Sequence, residues 1–434
     1  MTLLLPMLLA VAAAQTPVAP AALNPEERAL TAFVDANNDK ALALLEKVVN
    51  INSGTMNFAG VRAVGAALRP EFEALGFKTE WVDGTPFGRA GHLVAEHPGA
   101  GPRILLIGHL DTVFEPDSPF QKFERISATE AKGPGITDMK GGNIVMLQAL
   151  KALQSVGLLK SMNIGVVITG DEESGGRPLD KSRAALVKAA QGADVAIGFE
   201  DGDGDPKTAV IGRRGVTNWE LRVKGKPAHS SQIFNAENGY GAIFETARIL
   251  NAFREKLAGQ PHLTFNPGAI VGGTAVEYDG PTSRGTAFGK TNVIAEHAVV
   301  TGDVRALSPE QFAAAKKAME EVVAASLPRT SATIKFDEGY PALAPTPGNE
   351  RLLALYNRAS LDVGAGAVIA VDPDKAGAAD VSFIAGQAKM ILDGVGLMGR
   401  GGHTVDETAD LRTLPSMTKR MAVLLARLQR DGAK

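Results

Sequence analysis

Apolar positions recur along this chain in two rhythms. Three short apolar runs, Ile104–Ile107, Ile164–Ile168 and Ala193–Phe199, stop at Gly108, at Thr169-Gly170-Asp171 and at Glu200. Runs that short and that apolar predict strands buried on both faces. Between and before them the spacing is helical. Leu30, Phe33, Val34, Leu42, Leu44, Leu45 and Val48 predict one or two amphipathic helices, opened by Asn24 as a cap with Pro25 and Glu27 behind it. Val61 to Leu75 reads as a further helix that Pro70 should kink or divide. Phe77 to Val82 reads as a strand and Asn143 to Leu153 as a helix. This alternation predicts a doubly wound α/β domain with its site beyond the carboxyl ends of the strands.

Near Gly215 the rhythm changes. Val216 to Val223 alternates like a half-exposed strand, Tyr240 to Phe253 is helical, and Ala269 to Glu277 and Val293 to Val304 read as strands. A helix over Pro309 to Ser326 and a strand over Ala332 to Phe336 complete a βαββαβ pattern, that of a small ferredoxin-like α+β unit. From Pro341 the first texture returns, with strands at Val368–Val371 and Met390–Leu392 and a closing helix over Leu414–Leu428. The predicted division is 24–213 and 341–434 for one split domain, with 214–340 inserted.

Length and composition narrow the classes. At 434 residues the chain is long for one core. With 45 basic and 48 acidic residues its net charge is −3, so it carries no electrostatic footprint for nucleic acid. Cysteine is absent, which leaves histidine and carboxylates for any metal site. Residues 1–14 contain an apolar run too short to span a bilayer, closed by Ala12-Ala13-Ala14. This predicts a signal peptide, followed by a Pro/Ala-rich linker over 15–23, and a periplasmic or secreted protein with no membrane span.

The chemistry concentrates where the predicted strands stop. His109 and Asp111 follow the first buried run and point to one face of an extended chain. A carboxylate beside a histidine fixes its tautomer and frees the other nitrogen for a metal. Asp138 sits among glycines in Gly135-Ile-Thr-Asp138-Met-Lys-Gly-Gly, Glu172-Glu173 follow the second run, Glu200 ends the third, and His403 follows Gly401-Gly402. Mixed imidazole and carboxylate suits Zn²⁺, with Co²⁺ or Mn²⁺ as alternatives. No Gly-x-Ser-x-Gly, His-Glu-x-x-His or dinucleotide fingerprint is present. Asp201-x-Asp203-x-Asp205 has Pro206 where a calcium loop needs glycine, and reads as a solvated acidic turn.

Together, His109-Leu-Asp111-Thr-Val, Gly135-Ile-Thr-Asp138-Met-Lys-Gly-Gly, Asp171-Glu172-Glu173-Ser-Gly, Glu200 and Gly402-His403 resemble the M20 metallopeptidase family. Within it the likeness is greatest to the glutamate carboxypeptidase (carboxypeptidase G2-like) branch. The resemblance implies a di-zinc aminopeptidase-like catalytic domain with an inserted dimerisation lid, and two Zn²⁺ per chain. Asp138 would bridge them, with His109 and Glu200 on one ion and Glu173 and His403 on the other. It also implies Asp111 as the residue orienting His109, Glu172 as general base, and a cis peptide after Asp138. On the lid it implies His229 reaching a neighbouring active site in a homodimer, with Asn292 and Arg305 holding the substrate and Arg305 clamping its free carboxylate.

One departure bears on specificity: the glutamate branch has an arginine before a proline at the lid–core junction, where this chain reads Gly339-Tyr340-Pro341. The implied function is hydrolysis of the amide bond to a C-terminal amino acid with a free carboxylate, in a small-molecule or peptide substrate. Two alternatives stay open: an N-acyl amino acid deacylase or dipeptidase of the same family, and a non-catalytic metal-containing binding protein.

Overall fold

The computed structural model describes residues 23–280 and 282–432. The expected signal peptide and nearly all of the linker lie outside the described residues. A six-stranded sheet organises the larger part of the chain. Its spatial order is Lys78–Asp83, Gly91–His97, Asn163–Thr169, Arg103–His109, Val195–Gly198 and Met390–Leu392. The last four strands are parallel, and the first two form an antiparallel edge. The continuous apolar runs are the central strands, because both of their faces are covered. Ile104 and Leu106 pack into one core layer with the helices Gly141–Ser155 and Thr413–Asp431. Leu105 and Ile107 point the other way, toward Leu186 and Ala190 of the helix Ala184–Ala190. The architecture is therefore the doubly wound α/β one.

Two expectations need correction. The helix Phe58–Glu73 runs through Pro70 without dividing. Proline removes one hydrogen bond near the helix end, while Val61, Val64, Leu68 and Phe72 are buried on either side of it. The strand expected over Ala269–Glu277 is two: Thr264–Gly273 stays in its sheet, and Ala275–Asp279 leaves it to pair with Arg284–Phe288 as a hairpin.

The inserted unit is built from residues 215–336. Its antiparallel sheet has the order Thr264–Gly273, His297–Ala306, Gly215–Gly225, Thr330–Phe336. The helices Gly241–Leu257 and Pro309–Ala324 complete the βαββαβ order. Trp219, Leu221, Phe253, Val300 and Met319 form a core separate from that of the larger sheet. The two chain crossings between the units pair with each other. Arg213 N–H donates to the Leu343 carbonyl at 2.8 Å, Leu343 N–H to the Arg213 carbonyl at 2.9 Å, and Val216 N–H to the Tyr340 carbonyl at 3.0 Å.

A small third sheet, invisible as a pattern, matters more than its size. Thr408–Asp410 pairs with both Glu130–Lys132 and Gly399–Arg400. It thereby carries the loop containing His403 to the segment that leads into Asp138.

Candidate metal centre

The parallel strands Asn163–Thr169, Arg103–His109 and Val195–Gly198 end side by side. Their carboxyl ends deliver Asp171 to Glu173, His109 and Glu200 to one crevice. Asp138 enters from the turn Ile136–Lys140, and its peptide bond to Met139 is cis, as the resemblance implies. That turn is pressed onto the strand ends by the helix behind it. A Cβ on Gly142 would meet the Phe199 carbonyl oxygen at 1.9 Å, so only glycine lets the helix start this close. His403 arrives with a left-handed backbone, φ 63°.

The side chains form two groups that share Asp138. His109 Nε2 lies 2.9 Å from Asp138 Oδ1 and 3.6 Å from Glu200 Oε1. His403 Nε2 lies 2.9 Å from Asp138 Oδ2 and 3.2 Å from Glu173 Oε2. Within each group the potential ligand atoms all lie within 4.8 Å of one another. Asp138 turns one carboxylate oxygen to each group, the arrangement a bridging ligand requires.

Asp111 is fully buried and does more than orient a histidine. Its backbone carbonyl lies 2.9 Å from His109 Nδ1, nearer than its carboxylate at 3.5 Å. The carboxylate accepts from the Thr55 hydroxyl at 2.6 Å and from the N–H groups of Glu172 and Glu173 at 3.0 and 3.1 Å. Glu407 plays the matching part for the other segment. It accepts from Gly135 N–H at 3.0 Å, Thr137 N–H at 2.8 Å, the Thr137 hydroxyl at 3.2 Å and Asp138 N–H at 3.2 Å. Asp393, paired with Arg213 at 2.8 Å, accepts from the Glu200 N–H.

Geometry and charge both ask for cations here. A carbonyl oxygen can only accept, so His109 Nδ1 carries its proton toward Asp111. A neutral His109 would then aim the Nε2 lone pair at a carboxylate oxygen 2.9 Å away, which repels unless a proton or a metal stands between. Glu173 Oε1 is buried with no hydrogen-bond partner, a further sign of a missing ligand contact. Burial raises the carboxyls, Glu200 to about 8 with Asp138 and Asp393 adding, and Glu173 to about 7 with Asp138 adding. Glu172 is carried well above the usual range by burial and by Glu200. Burial works against an imidazolium at His109, yet Glu200, Asp111 and Asp138 lift it well above its ordinary value. His403 is lifted to about 11 by its bonds to Asp138 and Glu173. A knot of anions that must recruit protons to stay buried is the electrostatic signature of a site suited to divalent ions. The donor set fits two.

The structure thus brings together His109, Asp111, Asp138, Glu172, Glu173, Glu200 and His403. His229, Asn292 and Arg305 lie on the inserted unit, and among the described residues no hydrogen bond or ion pair joins them to this cluster. His229 and Asn292 are neighbours, with Ser230 N–H donating to the Asn292 carbonyl at 3.0 Å, and Arg305 pairs with Asp303 at 2.9 Å. Asp201 corrects the reading of its segment. Asp203 and Asp205 are exposed, but Asp201 turns inward toward Thr137, and burial beside Asp138 pushes it up to about 7. Glu407, Arg183 and Asp380 escaped the sequence reading because each acts on backbone or on a buried charge far away in the chain. Only the nearness of Glu407 to His403 in sequence hinted at a role. A further surface group, His262 with Asp372 and Asp374, has Arg214 3.5 Å from Asp374 and takes no part in the crevice.

Residues 105–427 match the model of peptidase family M20/M25/M40. The chain is 28% identical over 394 residues to carboxypeptidase G2 of Pseudomonas sp. (strain RS-16), covering 89% of this chain and 88% of that protein. It is 27% identical over 397 residues to the succinyl-diaminopimelate desuccinylase of Gluconobacter oxydans (strain 621H), covering 87% and 94%. The crystal structure of aminopeptidase PepT from Bacillus cereus ATCC 10987 superposes with a TM-score of 0.71 at 20% identity, over 90% of this chain and 99% of that one. At that identity the likeness is one of fold.

Proposed function

Because the chain belongs to peptidase family M20/M25/M40, we propose that it is a di-zinc hydrolase cleaving the amide bond to a C-terminal amino acid with a free carboxylate. The observation that carries this reading is the pair of ligand groups sharing Asp138, with Glu172 left over beside them. His109, Asp138 and Glu200 would hold one ion, and Asp138, Glu173 and His403 the other. Two such ions polarise a carbonyl and activate a water.

The chain's own residues do the rest. Glu172 takes a proton from the attacking water, the scissile C–N bond breaks, and the same carboxyl returns the proton to the leaving amine. Asp111 holds the Glu172 and Glu173 peptides so that base and ligand keep a fixed relation. Arg305 would exchange Asp303 for the substrate carboxylate, with Asn292 beside it and His229 steadying the oxyanion of a neighbouring protomer. Exposed Ile243 and Phe244 on one lid helix, with exposed Ile270 on the lid's edge strand, support a homodimer formed through this unit. Among the described residues no helix is long and apolar enough to cross a membrane. A signal peptide and export to the periplasm or beyond remain part of this proposal.

A second reading within the same chemistry, an N-acyl amino acid deacylase, is favoured by the similarity to a desuccinylase and by Tyr340 standing where the glutamate branch has a cation. Purified, metal-analysed protein should be assayed with and without chelator on N-acyl amino acids ending in Glu, Asp, Ala, Leu, Phe or Lys. Chelator-sensitive hydrolysis confined to Glu and Asp would place the chain with the glutamate branch despite Tyr340, and a preference for apolar residues would mean that the missing arginine has moved the specificity. Two ions bound with no hydrolysis would sink both and leave a metal-containing binding protein.

A further inference from the structure

Tyr340 stands at the second crossing between the inserted unit and the sheet domain, where its own carbonyl accepts from Val216 of the first crossing at 3.0 Å. Its side chain does not stay at that junction. The phenol donates to the Glu172 carbonyl at 2.6 Å and accepts from Arg183 Nη2 at 2.7 Å. Its ring packs edge-on against Phe383, centroids 4.8 Å apart. Arg183 is itself fixed, buried between Asp171 at 2.6 Å and Asp380 at 2.9 Å. The hydroxyl therefore sits between an immobile cation and the one peptide whose side chain is the general base. The base-bearing turn is held from two sides, by Asp111 at its N–H groups and by Tyr340 at its carbonyl. Only the second hold comes from the junction.

We propose that Tyr340 is a positioning residue that ties the lid–core junction to the turn carrying Glu172, so that the placement of the base depends on the set of the junction. This rests on the reading of Glu172 as general base. The tyrosine that stands here in place of a cation is then a neutral tether toward the protein.

The test is Tyr340→Phe in the full-length, metal-loaded protein, which keeps the ring and removes the tether. Metal content should be unchanged. On the best substrate kcat should fall about tenfold while KM stays within about twofold, the pattern of a misplaced catalytic group rather than lost binding. Amide hydrogen exchange gives a readout free of turnover: Glu172, Glu173 and Ser174 should exchange faster in the variant, with the sheet strands unchanged. Wild-type kcat with unaltered exchange, or a change confined to KM, overturns the proposal. Should the wild-type protein hydrolyse nothing, the functional reading fails, and exchange alone still decides whether Tyr340 holds the turn. Gly339→Ala probes the junction, since its Cβ would lie 1.9 Å from the Val216 carbonyl oxygen and force a shift. It should lower kcat in the native background and change it less than about twofold in the Tyr340→Phe background. Fully additive losses would show that the junction does not act through this tyrosine.

Discussion

Replacing Glu407 by glutamine should loosen the turn that carries Asp138 without removing a ligand atom. Three donors converge on Glu407 Oε1, and one, the Gly135 N–H, reaches Oε2 at 3.0 Å. An amide keeps its oxygen toward the three and turns an NH₂ toward the fourth. One buried donor left facing another costs about 1–3 kcal/mol. For a domain of this size that is a Tm loss of roughly 2–12 °C in metal-free protein. The same displacement reaches both ligand groups, because Asp138 belongs to each, and lost support of a ligand weakens metal binding by about 10–100-fold. The two figures agree, since a tenfold change in affinity is about 1.4 kcal/mol. The assay is zinc titration against a competing chelator, with calorimetry of the chelated protein. It should run at pH 8, since burial pushes Glu407 to about 7 and its carboxylate must be charged to be compared. Wild-type affinity for both ions, together with an unchanged Tm, would refute the idea that Glu407 holds this turn.

Glu172→Gln should leave metal content intact and cut turnover by about 10²–10⁴-fold, checked by elemental analysis beside initial rates; surviving activity would remove Glu172 as the base. The metal-free protein should lose stability as pH rises. Glu173 at about 7, Glu200 at about 8 and Asp201 at about 7 hold protons in the fold that the unfolded chain releases near pH 4. The stability they lend is complete below about pH 4 and gone above about pH 8. Melting curves from pH 5 to 8 should show Tm falling without metal and nearly flat with it, and a metal-free Tm that rises instead would contradict the account. His229→Ala should be nearly inactive alone, yet mixing it with Glu172→Gln in equal amounts should restore about a quarter of wild-type activity. Half of random dimers are mixed, and each then has one complete site. No recovery after subunit exchange is shown would mean that His229 does not act across protomers.

The large features were legible in the sequence because burial writes them there. Strands covered on both faces must be apolar throughout, so Ile104–Ile107 and Ile164–Ile168 stood out, and the ligands stand where those runs stop. The change to alternation near Gly215 marked the inserted unit for the same reason. Less was legible where the determining partner is distant or is backbone. The third sheet has strands of two or three residues and no pattern of its own. Glu407 reads as one more acid in a polar loop, and its role appears only when four donors 269 to 272 residues away converge on it. Pro70 misled because propensity weighs a residue alone and not the four buried neighbours on either side of it. Tyr340 was visible as an oddity, but only its neighbours in space show which way its hydroxyl points.

The two ligand groups differ in when their residues are made. His109, Asp138 and Glu200 all lie in the first half of the sequence, on strands and a turn that are neighbours in one sheet domain. The second group needs His403, and the edge strand Met390–Leu392 and the helix Thr413–Asp431 that finish that domain come from the same late stretch. Synthesis must traverse the whole inserted unit, which folds around its own core, before the second group can close. Assembly is thus ordered in time: the residues of the first group are made early, and only the finished chain presents the pair. An arrest beyond the inserted unit but ahead of His403 would withhold not only that ligand but also Glu407, which holds the Asp138 turn, and the helix Thr413–Asp431 of the main core, so both groups wait on the last stretch to be made.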